Sequence, residues 1–261
     1  MLRASSASLT SGNILRVKDF NLSCEPGLVT ALLGPNGAGK TSLLKLLSGE
    51  LKADSGELWL NERQIHEWKP IDRAKMLACL PQQSTLNFPF TVEEVVLMGR
   101  IPYDTGTVID LEIVRQTLDA VDSWHLVHRN YTELSGGEKQ RVQLARVLAQ
   151  VWQPTNVSGE NKNRVLLLDE PSSSLDIAHQ QLLQKIVLSM AKQGVVVVLV
   201  VHDLNFAFYC ASQLILMSQG RLVAQGTPTE MMQNDLLQTV FGVNLEFISH
   251  PVTGKPIVIF K

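Results

Sequence analysis

The sequence predicts an α/β fold with a mainly parallel sheet, an antiparallel β subdomain near the N-terminus and an inserted helical subdomain. Short apolar runs at residues 29–33, 165–168 and 195–201 do not alternate with polar residues. Such runs are typical of parallel strands that are buried on both faces and covered by helices. Helical patterns separate the runs, and an alternation of strands and helices indicates the α/β class.

Further elements follow in chain order. The antiparallel strands near the N-terminus are predicted at residues 19–22 and 57–60, and another strand at 221–224 follows a glycine turn. The helices that should cover the sheet are predicted at residues 41–48, 138–150 and 177–192. The region from about residue 225 onward predicts a helix and turn pattern and a last short strand near 256–260.

Strand signals fade between about residues 90 and 150, where residues 92–98 and 111–121 predict helices. A polar segment at residues 153–163, which contains proline, glycine and several asparagines, predicts a surface loop. We therefore expect one domain over residues 1–261, with a helical subdomain at about 90–150 and an α/β core, including the β subdomain, from residues 1–89 and 151–261.

Composition excludes several classes of function. The formal net charge is −2 and the pI about 6.3, so no basic surface for nucleic acid is expected. The cysteines Cys24, Cys79 and Cys210 have neither metal-site nor disulfide spacing. No apolar run approaches the roughly 20 residues that cross a bilayer. We expect a soluble chain that would reach a membrane only through a partner.

One segment has the spacing of a phosphate-binding loop, G-x-x-x-x-G-K-[ST]. Its residues are Gly34, Pro35, Asn36, Gly37, Ala38, Gly39, Lys40 and Thr41. Glycines let backbone N–H groups turn toward phosphate oxygens, and the following helix adds its positive N-terminal end. Lys40 can reach the β- and γ-phosphates, while the hydroxyl of Thr41 or Ser42 can bind Mg²⁺. A chance glycine turn is disfavoured because a predicted strand precedes the loop and a helix follows it.

Two acids end the predicted strand at residues 165–168. Asp169 is placed to hold Mg²⁺, and Glu170 to polarise an attacking water as a general base. Taken alone, the pair could equally be a solvated acidic turn. The upstream phosphate loop favours the functional interpretation.

The segment Leu134-Ser135-Gly136-Gly137-Glu138 opens a predicted helix and resembles the signature sequence of the ABC ATPases. Its serine and N–H groups would form a second anion site at a helix N-terminus, which in the family binds the γ-phosphate held by the other subunit. Ser135 and Glu138 also have the spacing of a capping box, and the two roles are compatible.

The resemblance to the ABC ATPases extends over about residues 8–260, because further motifs occur in the family's order. Gln82 resembles the glutamine that senses Mg²⁺ and water, and Asp176 ends a segment that resembles the loop crossing to the opposite subunit. His202 resembles the histidine that contacts the γ-phosphate. The resemblance implies ATP and Mg²⁺ as ligands and a head-to-tail homodimer that encloses two ATP molecules. The implied magnesium ligands are Thr41, Gln82 and Asp169, and the implied catalytic residues are Glu170, His202 and Gln82.

The chain departs from this family in a minor way at Thr41-Ser42, where Ser-Thr is commoner, and in a more important way in its first strands. Family members usually carry an aromatic ring in the first strands on which adenine stacks, but no Phe, Tyr or Trp occurs before Asp19. Leu9 or Thr10 occupies roughly the expected position. The residue that contacts the base is therefore not identified by the resemblance.

Several segments narrow the resemblance to ATPases of haem importers, whose nearest relatives serve ferric siderophores and vitamin B12. These segments are residues 80–86, 88–100, 141–152, 240–243 and 250–251. The resemblance implies two copies of an integral membrane permease, a periplasmic haem-binding protein and a place on the cytoplasmic face of the bacterial inner membrane. Phe88 and Phe90 either contact the permease or pack the helical subdomain, and the sequence leaves both open. The histidines are isolated in sequence, so haem ligation is not expected.

Three other functions compete with haem import. The same motor could serve a siderophore or cobalamin importer. An ABC ATPase outside transport is disfavoured because such proteins tend to carry two cassettes or long coiled-coil insertions. A protein that binds ATP without hydrolysing it is disfavoured by the presence of Glu170 and His202.

Overall fold

The computed structural model describes residues 1–82, 86–152, 164–233 and 235–261. Its strands are β1 (Leu2–Ser11), β2 (Ile14–Cys24), β3 (Val29–Leu33), β4 (Ser55–Leu60), β5 (Arg63–Gln64), β6 (Leu77–Leu80), β7 (Val165–Asp169), β8 (Val196–Val200), β9 (Gln213–Ser218), β10 (Arg221–Gly226), β11 (Leu245–Ser249) and β12 (Pro256–Phe260). Its α-helices are α1 (Lys40–Leu47), α2 (Pro70–Met76), α3 (Val92–Leu97), α4 (Thr107–Ala120), α5 (Gly136–Val151), α6 (Ile177–Lys192), α7 (Leu204–Cys210), α8 (Pro228–Met232) and α9 (Leu236–Phe241).

A six-stranded sheet with the order β10-β9-β3-β8-β7-β6 lies at the centre. All its neighbouring strands are parallel except β9 and β10, which form an antiparallel hairpin. Every residue of β3, β7 and β8 is buried. The predicted parallel sheet is therefore confirmed, and the carboxyl ends of β3, β6, β7 and β8 meet at one edge.

An antiparallel sheet with the order β2-β1-β4-β5 forms the N-terminal β subdomain. Leu2 and Phe20 from this sheet share a buried cluster with Leu43 of α1 and with Leu32 and Val198 of the central sheet. The predicted strands at 19–22 and 57–60 lie within longer strands. Strand β1 was not predicted, because its buried positions hold small residues as well as leucines and its apolar alternation is therefore weak.

The helical subdomain packs onto the central sheet without a separate core. Val95 of α3, Ile113 of α4 and Val147 of α5 belong to the same buried cluster as Leu168 of β7 and Leu199 of β8. Both α3 and α5 begin with a capping box, in which the N-cap side chain accepts the N3 backbone N–H and the N3 glutamate accepts the N-cap N–H. The predicted helical region is therefore confirmed, and α5 lies partly against the sheet.

Phe88 and Phe90 differ in their surroundings, although their ring centroids lie 6.1 Å apart. Phe90 packs against the main core, whereas the side chain of Phe88 is 68% exposed. Of the two roles that the sequence left open, packing within the protein therefore applies to Phe90 and not to Phe88. Residues 83–85, which belong to the segment 80–86 that resembles haem-importer ATPases, lie outside the described residues.

The C-terminal hairpin of β11 and β12 is docked on α7. The side chain of Asn205 accepts the backbone N–H of Val258 at 2.7 Å and donates to its carbonyl at 3.1 Å. The rings of Phe208 and Phe247 lie 5.5 Å apart. The sequence predicted the last strand but not β11, α7 or the short elements α2, β6 and β9. The predicted loop at 153–163 lies outside the described residues.

None of the helices within the described residues is long and apolar enough to cross a bilayer.

The helical subdomain depends on close backbone contacts, of which Gly99 is an example. A Cβ atom at this residue would lie 2.2 Å from the carbonyl oxygen of Arg146 in α5. Only a residue without a side chain allows this approach of the short helical turn at Met98–Arg100 to α5.

We predict that Gly99→Ala destabilises the protein by about 1–3 kcal/mol, because the new methyl group overpacks a contact with rigid backbone. Gly136→Ala is the control, since a Cβ there meets no atom within 4 Å, and its cost should stay within about 0.5 kcal/mol. Chemical denaturation measures both. Equal stability of the two variants would contradict the close packing of Gly99 on α5.

Candidate functional site

The phosphate loop follows β3 and surrounds the N-terminus of α1. Gly34 has φ +148°, and a Cβ there would lie 2.2 Å from the carbonyl oxygen of Met217. Gly39 caps α1 with φ +102°. The loop's fold thus needs glycine at these two positions. A pocket opens over it, lined by Arg16, Asn36, Gly37, Ala38, Gly39, Lys40, Thr41, Ser42, Gln82, Glu170 and His202.

Lys40 is the buried cation of this pocket. Its ammonium donates to the carbonyl oxygens of Gly34 at 2.7 Å and Pro35 at 3.1 Å. These two hydrogen bonds hold the lysine side chain against its own loop. Burial lowers the pKa of Lys40, while the negative charges of Glu170 and Asp169 raise it in opposition. A phosphate would supply the further negative charge that a desolvated ammonium requires.

Asp169, at the end of β7, is buried with 1% of its surface exposed. Its Oδ1 has no hydrogen-bond partner among the described residues, and the carboxylate accepts a hydrogen bond from the Thr41 side chain. Burial is the main cause that raises the pKa of Asp169, and the Thr41 hydrogen bond acts in the opposite direction. A buried carboxylate oxygen without a donor, beside a hydroxyl, fits a hard divalent cation.

Glu170 occupies a strained backbone position directly after Asp169, with φ +50°. Its N–H donates to the carbonyl of Val200 in β8 at 2.9 Å. Its carboxylate accepts the Nε2–H of Gln82 at 2.9 Å and the Nε2–H of His202 at 2.5 Å. The structure thus brings together three side chains that the sequence predicted as catalytic, from the ends of three different strands.

A second pocket lies at the start of α5 and is lined by Ser135, Gly137, Glu138, Arg141, Ser174, Leu175, Asp176 and His179. Ser135 and Glu138 form the predicted capping box: the N–H of Ser135 donates to the glutamate at 2.7 Å. This backbone hydrogen bond is the main cause that lowers the pKa of Glu138. The signature segment and the loop that contains Asp176 therefore form one surface. Among the described residues, the two pockets have no lining residue in common.

The lining residues that the sequence did not predict include Arg16, Arg141 and His179. Arg141 and His179 contact each other in the second pocket, and Asp176 caps α6 by accepting the backbone N–H of His179 at 2.9 Å and its Nδ1–H at 2.8 Å. His179 therefore belongs to a cluster, which its isolation in sequence did not indicate. Its position at N3 of a helix capped by Asp176 was the available signal. Arg16 lines the first pocket, and nothing in its sequence context marked it.

The chain is similar to known proteins over its full length. Residues 17–173 match the family described as ABC transporter. The chain belongs to the ABC transporter family. It is 45% identical to the hemin import ATP-binding protein HmuV of Pseudomonas fluorescens over 100% of both chains. It is 44% identical to that of Myxococcus xanthus, over 92% of this chain and 89% of the relative.

Solved structures of ABC cassettes share its fold. An ATP-binding cassette of an ABC transporter in its ADP conformation superposes with a TM-score of 0.77 at 23% identity, over 93% of this chain and 97% of the other. The dimeric structure of a bacterial ABC transporter cassette gives a TM-score of 0.72 at 24% identity, over 87% and 99%. The fold predicted from the sequence is thereby confirmed as that of an ABC ATPase.

We predict that Asp169→Asn raises the Tm of the nucleotide-free protein by roughly 2–4 °C at neutral pH, the shift that about 1 kcal/mol gives in a domain of this size. The raised pKa means that the buried carboxylate costs stability above its folded pKa. This cost disappears as the pH falls and the folded carboxyl takes up a proton, so the gain should vanish near pH 4.

Thermal unfolding in a chelating buffer measures this gain. Asp104→Asn, at an exposed position, is the control and should change Tm by less than about 1 °C. A gain that is equal at neutral and acidic pH would contradict the assignment of the cost to the buried charge.

Proposed function

We propose that this chain is the ATP-hydrolysing subunit of a haem importer. The observation that carries the hydrolysis is Glu170, held by Gln82 and His202 at the mouth of the phosphate loop. The relatives that are 40–45% identical over nearly the whole chain, each named a hemin import ATP-binding protein, support the transported substrate.

In the proposed reaction the carboxylate of Glu170 takes a proton from water. The water oxygen forms a bond to the γ-phosphorus while the bond from that phosphorus to the bridging oxygen of ADP breaks. Each Glu170 oxygen accepts one hydrogen bond in the structure, from Gln82 or His202, and retains a lone pair for the water. Lys40 and the loop N–H groups neutralise the phosphate charge as it shifts toward the leaving group.

Mg²⁺ fits the residues beside this pocket. The hydroxyl of Thr41, the orphaned oxygen of Asp169 and the side-chain oxygen of Gln82 would hold it together with phosphate oxygens and water. When bound, Mg²⁺ would neutralise charge on the β- and γ-phosphates.

Two copies of the chain are needed for a complete site in this proposal. The phosphate-loop pocket and the pocket at Ser135 have separate linings within one chain, although both present donors suited to phosphate. A head-to-tail homodimer would place the Ser135 pocket of one copy over the ATP of the other, twice. Ser135, Gly136, Gly137 and Glu138 would then meet the γ-phosphate, and Asp176 would lie beside the opposite phosphate loop.

The homodimer would drive two copies of an integral membrane permease that receives haem from a periplasmic haem-binding protein. This chain would then lie on the cytoplasmic face of the bacterial inner membrane. The exposed ring of Phe88 is available for such a contact, whereas Phe90 is committed to the core. Haem would pass through the permease without touching this chain. A siderophore or cobalamin importer is the alternative use of the same motor.

We predict that Glu170→Gln lowers the ATP turnover by at least about 100-fold, because the amide cannot accept the water's proton. ATP affinity should change by less than about threefold, and ATP should convert the variant from monomer to dimer. Single-turnover hydrolysis, ATP titration and light scattering after size exclusion measure these effects. Glu62→Gln, at an exposed position outside the pocket, is the control. Normal turnover in Glu170→Gln would contradict the role of the base.

The transported substrate is tested by reconstituting the chain with its permease and capture protein in liposomes. We predict that haem-loaded capture protein stimulates ATP hydrolysis several-fold, and that a ferric siderophore or cobalamin does not. The Glu170→Gln complex is the control for background hydrolysis. Stimulation by a siderophore or cobalamin, with haem inactive, would contradict haem import but leave the ATPase proposal intact.

A further inference from the structure

Arg16 is a half-buried cation that lines the phosphate-loop pocket. Among the described residues, no side chain forms an ion pair or hydrogen bond with its guanidinium. A cation that lines a ligand pocket and has no ion pair with the described residues is available to contact the ligand.

A β-bulge places Arg16 in the pocket. Leu9 pairs with Val17 and Thr10 pairs with Leu15, so two steps on β2 match one step on β1 and Arg16 is the extra residue. Bulges of this kind redirect a side chain out of the regular alternation of a strand. The bulge, rather than the sequence pattern of β2, therefore determines the direction of this side chain.

The backbone of Arg16 is fixed against the phosphate loop. Its carbonyl oxygen would lie 2.3 Å from a Cβ at Gly39 and 2.8 Å from one at Gly220, so both glycines are in close contact with it. The N–H of Lys18 donates to the carbonyl oxygen of Gly220 at 2.8 Å, and the N–H of Gly220 donates to the carbonyl oxygen of Ala38 at 2.9 Å. These contacts join β2, the β9–β10 turn and the phosphate loop into one rigid unit.

The order of strands in the central sheet gives the direction in which ATP lies. His202 follows β8, Glu170 follows β7 and Gln82 follows β6, all on one side of β3. Gly220, which contacts Arg16, lies in the hairpin on the other side of β3. Because the hydrolytic residues must face the γ-phosphate, the Arg16 side faces the nucleoside end.

We propose that the guanidinium of Arg16 stacks on the purine base of the nucleotide and takes the place of an aromatic ring. The inference rests on the proposed ATPase function. Lys40 and the loop N–H groups already serve the phosphates, whereas no aromatic residue precedes Asp19. A guanidinium is planar and weakly hydrated, so it can lie flat on a π-face, whereas an ammonium is strongly hydrated and has no plane to stack. Stacking contacts no base edge, so adenine and guanine should bind alike.

The test compares ATP with inorganic tripolyphosphate, which has the phosphates but no base. Calorimetric titration is made with wild-type protein and with Arg16→Ala, Arg16→Lys and Arg16→Phe. We expect Arg16→Ala to weaken ATP and GTP binding about 5- to 30-fold and tripolyphosphate binding less than about twofold. Arg16→Lys should resemble Arg16→Ala, because it keeps the charge but loses the plane. Arg16→Phe should recover ATP affinity to within about threefold of wild type.

Lys18→Ala is the matched control, because it removes an exposed positive charge two residues away that does not line the pocket. Its affinity for ATP should stay within about twofold of wild type, and the Tm of every variant should stay near that of wild type. A parallel loss of tripolyphosphate affinity in Arg16→Ala, with rescue by lysine, would show a phosphate contact and overturn the proposal. Unchanged ATP affinity in Arg16→Ala, or a loss confined to ATP with GTP spared, would also overturn it.

These outcomes are distinct from failure of the proposed function. Wild-type protein that binds neither ATP nor tripolyphosphate would contradict nucleotide binding as a whole. Wild-type protein that binds both, with Arg16→Ala unchanged, would contradict only the role of Arg16.

Discussion

Parallel pairing of β6, β7, β8 and β3 is the constraint on which the rest of the molecule depends. Parallel strands end at the same edge, and a residue that follows one strand therefore meets residues that follow its neighbours. Here the edge receives the phosphate loop, Glu170, His202 and Gln82, although more than a hundred residues separate some of them in sequence. These strands are buried on both faces, and the register of their pairing brings the site residues together.

The site also shows how local strain is maintained by hydrogen bonds. Glu170 has a left-handed backbone that a non-glycine residue rarely adopts, and its N–H is bound to β8. Two donors hold its carboxylate. Burial raises the pKa of Asp169 and lowers that of Lys40, so both groups lie in surroundings that favour their neutral forms. Such paired desolvation is common where charged ligands are bound.

The sequence predicted the parts of this arrangement that depend on local chemistry. Glycine spacing around Lys40, the acids after β7 and the serine and glutamate that cap α5 each have a local physical cause, and the structure places them as expected. Strand β1 was missed because the small residues at its buried positions weaken the periodicity, and β6 was missed because it has only four residues. Arg16 was missed because its direction depends on pairing between β1 and β2, which no single segment encodes. His179 was missed for the same reason, since its contact with Arg141 joins two helices.

Ser135 has a further consequence through the geometry of its cap. Its hydroxyl oxygen accepts the N–H of Glu138 at 3.4 Å, and the hydroxyl also hydrogen-bonds to the Glu138 carboxylate. An anion that accepts the hydroxyl proton would therefore replace the Glu138 carboxylate as its partner, while the hydroxyl oxygen continues to accept the Glu138 N–H. Binding an anion there would require no loss of the helix end, so recognition and helix stability are supported by a single side chain and cannot be altered separately at this position.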